Sequence, residues 1–190
     1  NVSVETTRHL IEEGHPGPIF EATFEHDGVL IRADVLSRDG RDGWHMAEVK
    51  SSARVKDYHL GDLATQVWVL GKAGLKVSGA AIRHIDTSFV LEREGDFAGL
   101  FADTDCLAQI ADAVEARTQL VADARAVLAG DEPDIVPGDQ CDSPFACEFR
   151  AWCTRDQPPG PEWPVDILPR GGGAKWRERG IDNLLDLEAE

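Results

Sequence analysis

Two acids and one lysine in two neighbouring segments of the chain could form a metal site, with the acids as ligands and the lysine beside them. Glu48 and Lys50 belong to the run Glu48-Val49-Lys50, and Asp34 precedes Glu48 with thirteen residues between them. If this run is a strand, Glu48 and Lys50 point to the same face, because side chains alternate between the two faces of a sheet. A hairpin turn near Gly40 would bring Asp34 level with Glu48, where cross-strand neighbours lie about 5 Å apart.

Two carboxylates this close repel one another unless a cation lies between them. Oxygen ligands on a rigid sheet suit Mg²⁺ or Mn²⁺, so we expect Asp34 and Glu48 to bind one of these ions. Lys50 could then orient or deprotonate a water molecule, or stabilise negative charge at phosphorus. The alternative is a simpler one, in which Lys50 forms an ion pair with either acid on a solvated face.

The residues that follow Lys50 predict a substrate-binding surface. Small and basic side chains come first, and they form a local positive patch in a chain whose net charge is −16. Tyr58, Asp62 and Gln66 then recur every four residues, which puts them on one helix face. The amide of Gln66 either bonds into the site or lies at the edge of the apolar stripe. The predicted substrate-binding residues are Ser51, Ser52, Arg54, Lys56 and Tyr58.

Hydrophobic periodicity predicts the elements that must position these residues. Helices are expected over residues 6–13, 55–73, 104–130 and 174–179, and strands over residues 19–25, 29–36, 44–51, 77–85 and 88–91. The third helix is expected to bury a stripe made of Leu107, Ile110, Val114, Val121 and Leu128. This order of elements predicts an α/β fold with a mixed β-sheet flanked by helices.

Composition and charge exclude several classes of protein. With 42% hydrophobic residues the chain can form a core, and a net charge of −16 excludes a basic coat that grips phosphate everywhere. The apolar runs are too short for a transmembrane helix, and the first residues lack a signal-peptide pattern. We therefore expect a cytoplasmic protein without membrane contact. The missing initiator Met suggests a processed chain or a piece of a longer one.

Three of the four cysteines are evenly spaced near the end of the chain. Cys141, Cys147 and Cys153 form the pattern C-x5-C-x5-C, whereas Cys106 stands apart. Two disulfides are possible, but a reducing compartment favours metal binding. The spacing differs from the C-x2-C of common zinc sites and fits iron–sulfur ligation loosely. The expected organisation is a core over residues 1–140, a small cysteine-bearing C-terminal lobe over 141–157, and a linker or tail over 158–190.

The arrangement of these motifs resembles the PD-(D/E)xK nuclease superfamily, specifically its RecB-like branch. Asp34, Glu48-Val49-Lys50 and a following helix with Gln66 match that pattern, although Leu70 stands where the branch has an aromatic residue. A closer resemblance is to an uncharacterised family of large bacterial proteins with a RecB-like nuclease region that bears cysteines. The phrases IFEATF, IRADVL, AEVKSSARVKDYHLGDLATQ and CDSPFACEFRAWC carry it.

The resemblance implies a restriction-endonuclease-like core and a metal-dependent deoxyribonuclease that acts on single-stranded DNA or on DNA ends. Asp34 and Glu48 would hold Mg²⁺ or Mn²⁺ with the Val49 carbonyl. Lys50 would position the attacking water, and Gln66 would orient the site or a phosphate. Glu21 is either a further metal ligand or a solvent-facing residue. The alternative function is a catalytically silent module that binds DNA or serves as a scaffold.

The resemblance also implies a [4Fe–4S] cluster, related to those of the CRISPR-adaptation and AddB-type nucleases. In those families three cysteines follow the nuclease core and one comes well before it. Cys141, Cys147 and Cys153 would be the late three, and the fourth ligand would lie upstream of Asn1. Cys106 is expected to be a core thiol. Zinc, or no metal, remains the alternative for these cysteines, and a further domain of the same polypeptide is the expected partner.

Overall fold

The computed structural model describes residues 2–40 and 43–187. The chain divides into two units, the first ending at Pro133 and the second beginning at Asp134. Within the described residues, no helix is both long enough and apolar enough to cross a membrane.

The first unit is an α/β unit in which helices flank a five-stranded sheet. Its helices are α1 (Val2–Glu12), α2 (Asp57–Lys72) and α3 (Ala111–Ala129), and its strands are β1 (Ile19–His26), β2 (Val29–Asp39), β3 (Gly43–Val49), β4 (Val77–Ile85) and β5 (Phe101–Asp105). The predicted α/β class and the predicted mixed sheet are confirmed.

The sheet is open and its strands lie in the order β1-β2-β3-β4-β5. The first three strands form antiparallel hairpins, as predicted. Asp27 and Gly28, which join the first two strands, both have positive φ values, of 50° and 76°, and a two-residue turn with this backbone matches the twist of the strands it connects. Helix α2 then crosses over so that β4 runs parallel to β3, and β5 returns antiparallel to β4.

The core of this unit lies between the sheet and α2. Residues Leu63, Val67, Trp68 and Leu70 of α2 are buried because their helical spacing places them on one face. They share one hydrophobic cluster with residues from the central strands, including Leu36, Met46 and Ile82. This packing holds one face of α2 against the sheet, and that contact builds the candidate site.

Two predicted elements are wrong. No strand forms at 88–91, because the chain makes turns there and the fifth strand is Phe101–Asp105. The third helix begins at Ala111 rather than at residue 104, since residues 101–105 pair with β4. Its predicted stripe is confirmed except at one position. Ile110 is buried, and Leu107, Val114 and Val121 are partly buried against the core, although Leu107 and Ile110 precede the helix. The prediction for Leu128 is wrong, because this side chain is 85% exposed.

The predicted alternation along β1 also fails at one point. In a regular strand Phe20 would share a face with Ala22 and Phe24, but it is 66% exposed while both of the others are buried. Glu21 has a φ of 55°, a backbone conformation that side chains rarely adopt and that interrupts the alternation of a strand.

The described residues of the second unit form only short elements. Two helical turns, α4 (Arg150–Cys153) and α5 (Ala174–Arg177), accompany 3₁₀ turns at Asp139–Cys141, Val165–Ile167, Pro169–Gly171 and Leu184–Asp186. A single bridge joins Pro164 to Asn183. The short tail helix predicted from residue 174 is confirmed, although it ends at Arg177.

Candidate active site

Asp34 lies where the pairing of β2 with β3 ends. The register runs from Asp39 opposite Gly43 to Val35 opposite Ala47, so the next position of the ladder sets Asp34 against Glu48. The Asp34 carboxylate accepts a hydrogen bond from the Val49 backbone N–H, with 2.7 Å between Oδ2 and N. The Asp34 side chain thereby replaces the backbone carbonyl that would accept from the Val49 N–H if the β2–β3 ladder were longer.

Glu48 is a buried carboxylate held by two donors. It is only 7% exposed, and Nε2 of Gln66 on α2 donates to its Oε2 across 2.7 Å. Burial raises the pKa of Glu48, and the negative charge of Asp34 adds to this effect, while the hydrogen bonds from Lys50 and Gln66 oppose it. A charge taken out of water costs free energy unless it is compensated, so this carboxylate favours a positive partner.

Lys50 follows the last residue of β3 and lies between two acids. Its backbone N–H donates to the Arg83 carbonyl, which extends the β3–β4 ladder by one step. Its Nζ lies 2.7 Å from Oε1 of Glu48 and 2.5 Å from Oδ2 of Asp62. Burial alone would lower the pKa of Lys50, but the hydrogen bonds to Asp62 and Glu48 outweigh it and raise the pKa.

The cluster carries more negative than positive charge. Asp34, Glu48 and Asp62 are three carboxylates, and Lys50 is the cation bonded to two of them. Burial is the main cause of the raised pKa of Glu48, and the charge of Asp34 adds to it, whereas the hydrogen bonds to Asp62 and Glu48 raise the pKa of Lys50. Such a site attracts a cation.

The Gln66 side chain leaves one buried atom without a partner. Its Nε2 is committed to Glu48, because an ionised carboxylate can only accept. Its Oε1 is buried and makes no hydrogen bond. Burial of an amide oxygen without a hydrogen-bond donor costs free energy. A donor such as a water molecule is therefore expected beside Oε1 of Gln66 in the functional site.

A cleft of about 350 Å³ opens at this cluster. Residues from the start of β2 line one part of it, and Glu48, Asp62, Thr65 and Gln66 line the other. Glu48 and Asp62 are therefore reached from one surface groove between the sheet and α2.

The residues predicted to bind substrate lie around the start of α2. Ser51, Arg54 and Lys56 are exposed, and Ser52 donates its hydroxyl to the Arg54 carbonyl across 2.8 Å. Tyr58 packs edge-on against the ring of His59, with 4.4 Å between centroids. The structure thus gathers these residues in the turn that leads from Lys50 into the helix and, for Tyr58, in the first turn of the helix.

Glu21 has a different environment from the other predicted acids. Its side chain is 60% exposed, and its Oε2 lies 3.5 Å from Nη1 of Arg32. The hydrogen-bonded set at the cleft consists of Glu48, Lys50, Asp62 and Gln66, and Glu21 is outside it.

Two residues of this region were missed as site residues by sequence reasoning. The sequence places Asp62 only on one face of a helix. Its contact with Lys50 depends on how α2 packs against the sheet. His59 is buried, and its Nδ1 accepts from the Lys56 backbone N–H across 3.2 Å, so it fixes the first turn of α2. Burial and the positive charges of Lys50 and Lys56 lower its pKa. The signal for this role is the position of His59, three residues after Lys56, which caps the N-terminus of α2. A side chain at this position can accept a hydrogen bond from the N–H of the cap residue.

The cysteines form no disulfide in the part of the chain that the structure describes. Cys106 is 1% exposed and belongs to the core of the first unit, but it precedes α3 instead of lying on it. In the second unit the Cys147 N–H donates to the Cys141 carbonyl across 2.7 Å. Across residues 2–40 and 43–187, no group of three or more His, Cys, Asp or Glu side chains is arranged to hold a metal. The iron–sulfur cluster stays a prediction, and nothing proposed below depends on it.

No family model matches the chain, and no curated protein matches it significantly.

Proposed function

We propose that this protein is a metal-dependent nuclease with a restriction-endonuclease-like core of the RecB-like type. The observation that carries the proposal is the contact set of Glu48, which lies opposite Asp34 in register and bonds to both Lys50 and Gln66. Two acids and one amine from adjacent strands, completed by an amide from the crossover helix, are the parts that phosphodiester hydrolysis requires.

The donor set fits a hard divalent cation. Asp34 and Glu48 supply carboxylate oxygens, and the Val49 carbonyl is the third ligand we assign. Oxygen donors of this kind suit Mg²⁺ or Mn²⁺. The excess negative charge and the unpaired Oε1 of Gln66 support the assignment, because both are unfavourable as they stand. A cation bound there would supply Lewis acidity towards the phosphodiester and lower the pKa of a water molecule.

Lys50 acts as a charged donor and not as a base. In the metal-free protein the hydrogen bonds to Asp62 and Glu48 raise the pKa of Lys50, so the amine is a protonated donor there. The ammonium group can donate hydrogen bonds to a water molecule and to a phosphate oxygen, and it stabilises the negative charge that develops at phosphorus. Of the roles considered for Lys50, positioning of the water is the one this environment favours.

Gln66 orients Glu48 and a water molecule. Its Nε2 holds the carboxylate at 2.7 Å, which leaves Oε1 as the remaining group. A carbonyl oxygen accepts hydrogen bonds and therefore cannot donate to a phosphate. We accordingly assign it to the attacking water, and not to the phosphate contact considered from the sequence alone.

DNA is the proposed substrate, bound as a single strand or at an end. With a net charge of −16, the surface as a whole repels a polyanion. Binding must therefore be local, and the exposed Arg54 and Lys56 next to Lys50 supply the positive charge for it. We propose that the protein acts on DNA in the cytoplasm.

A cleavage assay tests the proposal. Labelled single- and double-stranded DNA, with RNA in parallel, is incubated with Mg²⁺ or Mn²⁺ and with wild type, Asp34→Ala or Lys50→Ala. The matched controls are Asp57→Ala and Lys76→Ala, which remove the same charges at exposed positions of the first unit. Cleavage by wild type and by both controls, with loss in both site variants, is expected. Equal cleavage by wild type and the site variants would refute the assignment.

A further inference from the structure

Asp62 is an acid of the site that the proposed cation does not require. It lies on α2 one turn before Gln66, so the two side chains share a helix face. Its Oδ2 is 2.5 Å from Nζ of Lys50, which is the shorter of the two ion pairs that this amine makes. The side chain of Asp62 is 45% exposed and that of Lys50 is 23% exposed.

Glu48 and Asp62 both bind Lys50, but only Glu48 has other partners in the proposed site. Glu48 also accepts from Gln66 and is one of the two carboxylates assigned to the cation. A divalent cation at Glu48 repels the ammonium group and competes for the same oxygens. The bond between Lys50 and Glu48 is therefore the one that weakens when the cation binds, and Lys50 needs another anchor if it is to stay beside the water.

We infer that Asp62 is the positioning residue that keeps the Lys50 ammonium group in the site when a cation engages Glu48. This inference rests on the proposed function and deepens it. Asp62 suits the task because it sits on a helix whose opposite face is locked into the core, next to the residue that orients Glu48. Because Asp62 contacts Lys50 from α2, the position of its carboxylate does not depend on the strands that carry the metal ligands.

A merely structural Asp62 would give a different result. As an ion pair between α2 and the end of β3 it would add little to stability, because exposed pairs contribute little. Its removal would then leave the rate constant of cleavage unchanged. A positioning residue instead lowers kcat while KM and the affinity for the cation stay the same, since the substrate and the cation are held by other groups.

The test compares Asp62→Ala, Asp62→Asn and Asp62→Glu with Asp57→Asn, an exposed acid in the first turn of the same helix. We expect kcat to fall about tenfold or more in the alanine variant, with KM and Mn²⁺ affinity by calorimetry within about twofold of wild type. Asp62→Glu should recover part of kcat because it restores the charge, and Asp57→Asn should match wild type. Equal kcat values for Asp62→Ala and Asp57→Asn would overturn the inference.

A second readout does not depend on catalysis. The ¹⁵N signal of the Lys50 ammonium group is recorded by NMR in wild type and Asp62→Ala while Mg²⁺ is added. Slow hydrogen exchange at Lys50 should persist with Mg²⁺ in wild type and be lost in Asp62→Ala. If wild type cleaves no substrate, the proposed nuclease fails, and this signal still decides whether Asp62 holds Lys50. An Mg²⁺-loaded signal that is the same in both proteins would overturn the inference.

Discussion

Replacing Lys50 by Met should destabilise the metal-free protein through the charge it leaves behind. Lys50 donates to Glu48 across 2.7 Å, and the Glu48 side chain is 10% exposed. Loss of a hydrogen bond to a charged group costs about 1.5–3 kcal/mol, and loss of one partner from a fully buried pair costs about 3–5 kcal/mol. The Lys50 side chain is 23% exposed, and Asp62 is 45% exposed, so the lower range applies to the first contact and about 0–1 kcal/mol to the second. We expect a loss of about 2 kcal/mol in the free energy of unfolding.

The stability lost in Lys50→Met should depend on pH, and the pKa of Glu48 sets the direction of this dependence. Burial already raises the pKa of Glu48, and the hydrogen bond from Lys50 is the largest opposing effect, so the variant should raise that pKa further. A carboxyl group with a raised folded-state pKa stabilises the fold while it is protonated, and this contribution is lost as pH rises through the folded-state value. The cost of Lys50→Met should therefore be largest near about pH 8 and shrink towards about pH 5.

Urea denaturation followed by far-ultraviolet circular dichroism, with a chelator present, measures this. Lys76→Met, which removes an exposed lysine, is the control, and the double variant Glu48→Gln, Lys50→Met should recover most of the lost stability because it removes the buried charge. Two results would refute the claim that Lys50 compensates the buried charge of Glu48. One is equal free energies of unfolding for Lys50→Met and Lys76→Met at about pH 8, and the other is a double variant less stable than Lys50→Met.

Three further predictions concern the amide, the buried histidine and the cysteines. Gln66→Leu should change the free energy of unfolding by less than about 1 kcal/mol, because a lost charged hydrogen bond and a removed unpaired carbonyl offset each other. Its cleavage rate should nevertheless fall about tenfold or more, and parallel losses in denaturation and cleavage assays would contradict this. His59→Phe should cost about 1 kcal/mol in thermal denaturation. It should also flatten the loss of stability below about pH 6.5, where the unfolded chain protonates this group more readily than the fold does; an unchanged slope would argue against it. If a longer polypeptide supplies the upstream ligand, iron and sulfide analysis of that polypeptide, purified without oxygen, should find both elements in the unaltered protein and in Cys106→Ser but not in Cys147→Ser. An iron-free longer polypeptide would reject the cluster.

The central part of the sheet could be predicted because local signals agree there. Asp27-Gly28 is a turn sequence between two alternating runs, and the structure forms that hairpin with both residues at positive φ. The second hairpin sets the register that aligns Asp34 with Glu48. Side-chain alternation then brings Lys50 to Glu48. These contacts are local in sequence, so patterns in a short window contain them.

The parts that could not be predicted depend on tertiary packing. The run after residue 100 has short apolar stretches that suit a strand or a helix equally, and only pairing with β4 makes Phe101–Asp105 a strand. Asp62 looks like any polar residue on a helix until α2 docks and brings it to 2.5 Å from Lys50. The turned backbone at Glu21 likewise has no signal in a sequence of ordinary strand residues.

Calorimetric titration of Mn²⁺ into the metal-free protein tests the central claim most directly. Wild type should bind the ion at the site of Asp34 and Glu48, and Asp34→Asn and Glu48→Gln should lose that binding. Glu21→Gln, which alters an exposed acid outside the hydrogen-bonded set, should keep it. A wild type that takes up no Mn²⁺ at about millimolar concentration, or site variants that bind as wild type does, would contradict the account and favour a catalytically silent DNA-binding or scaffold module.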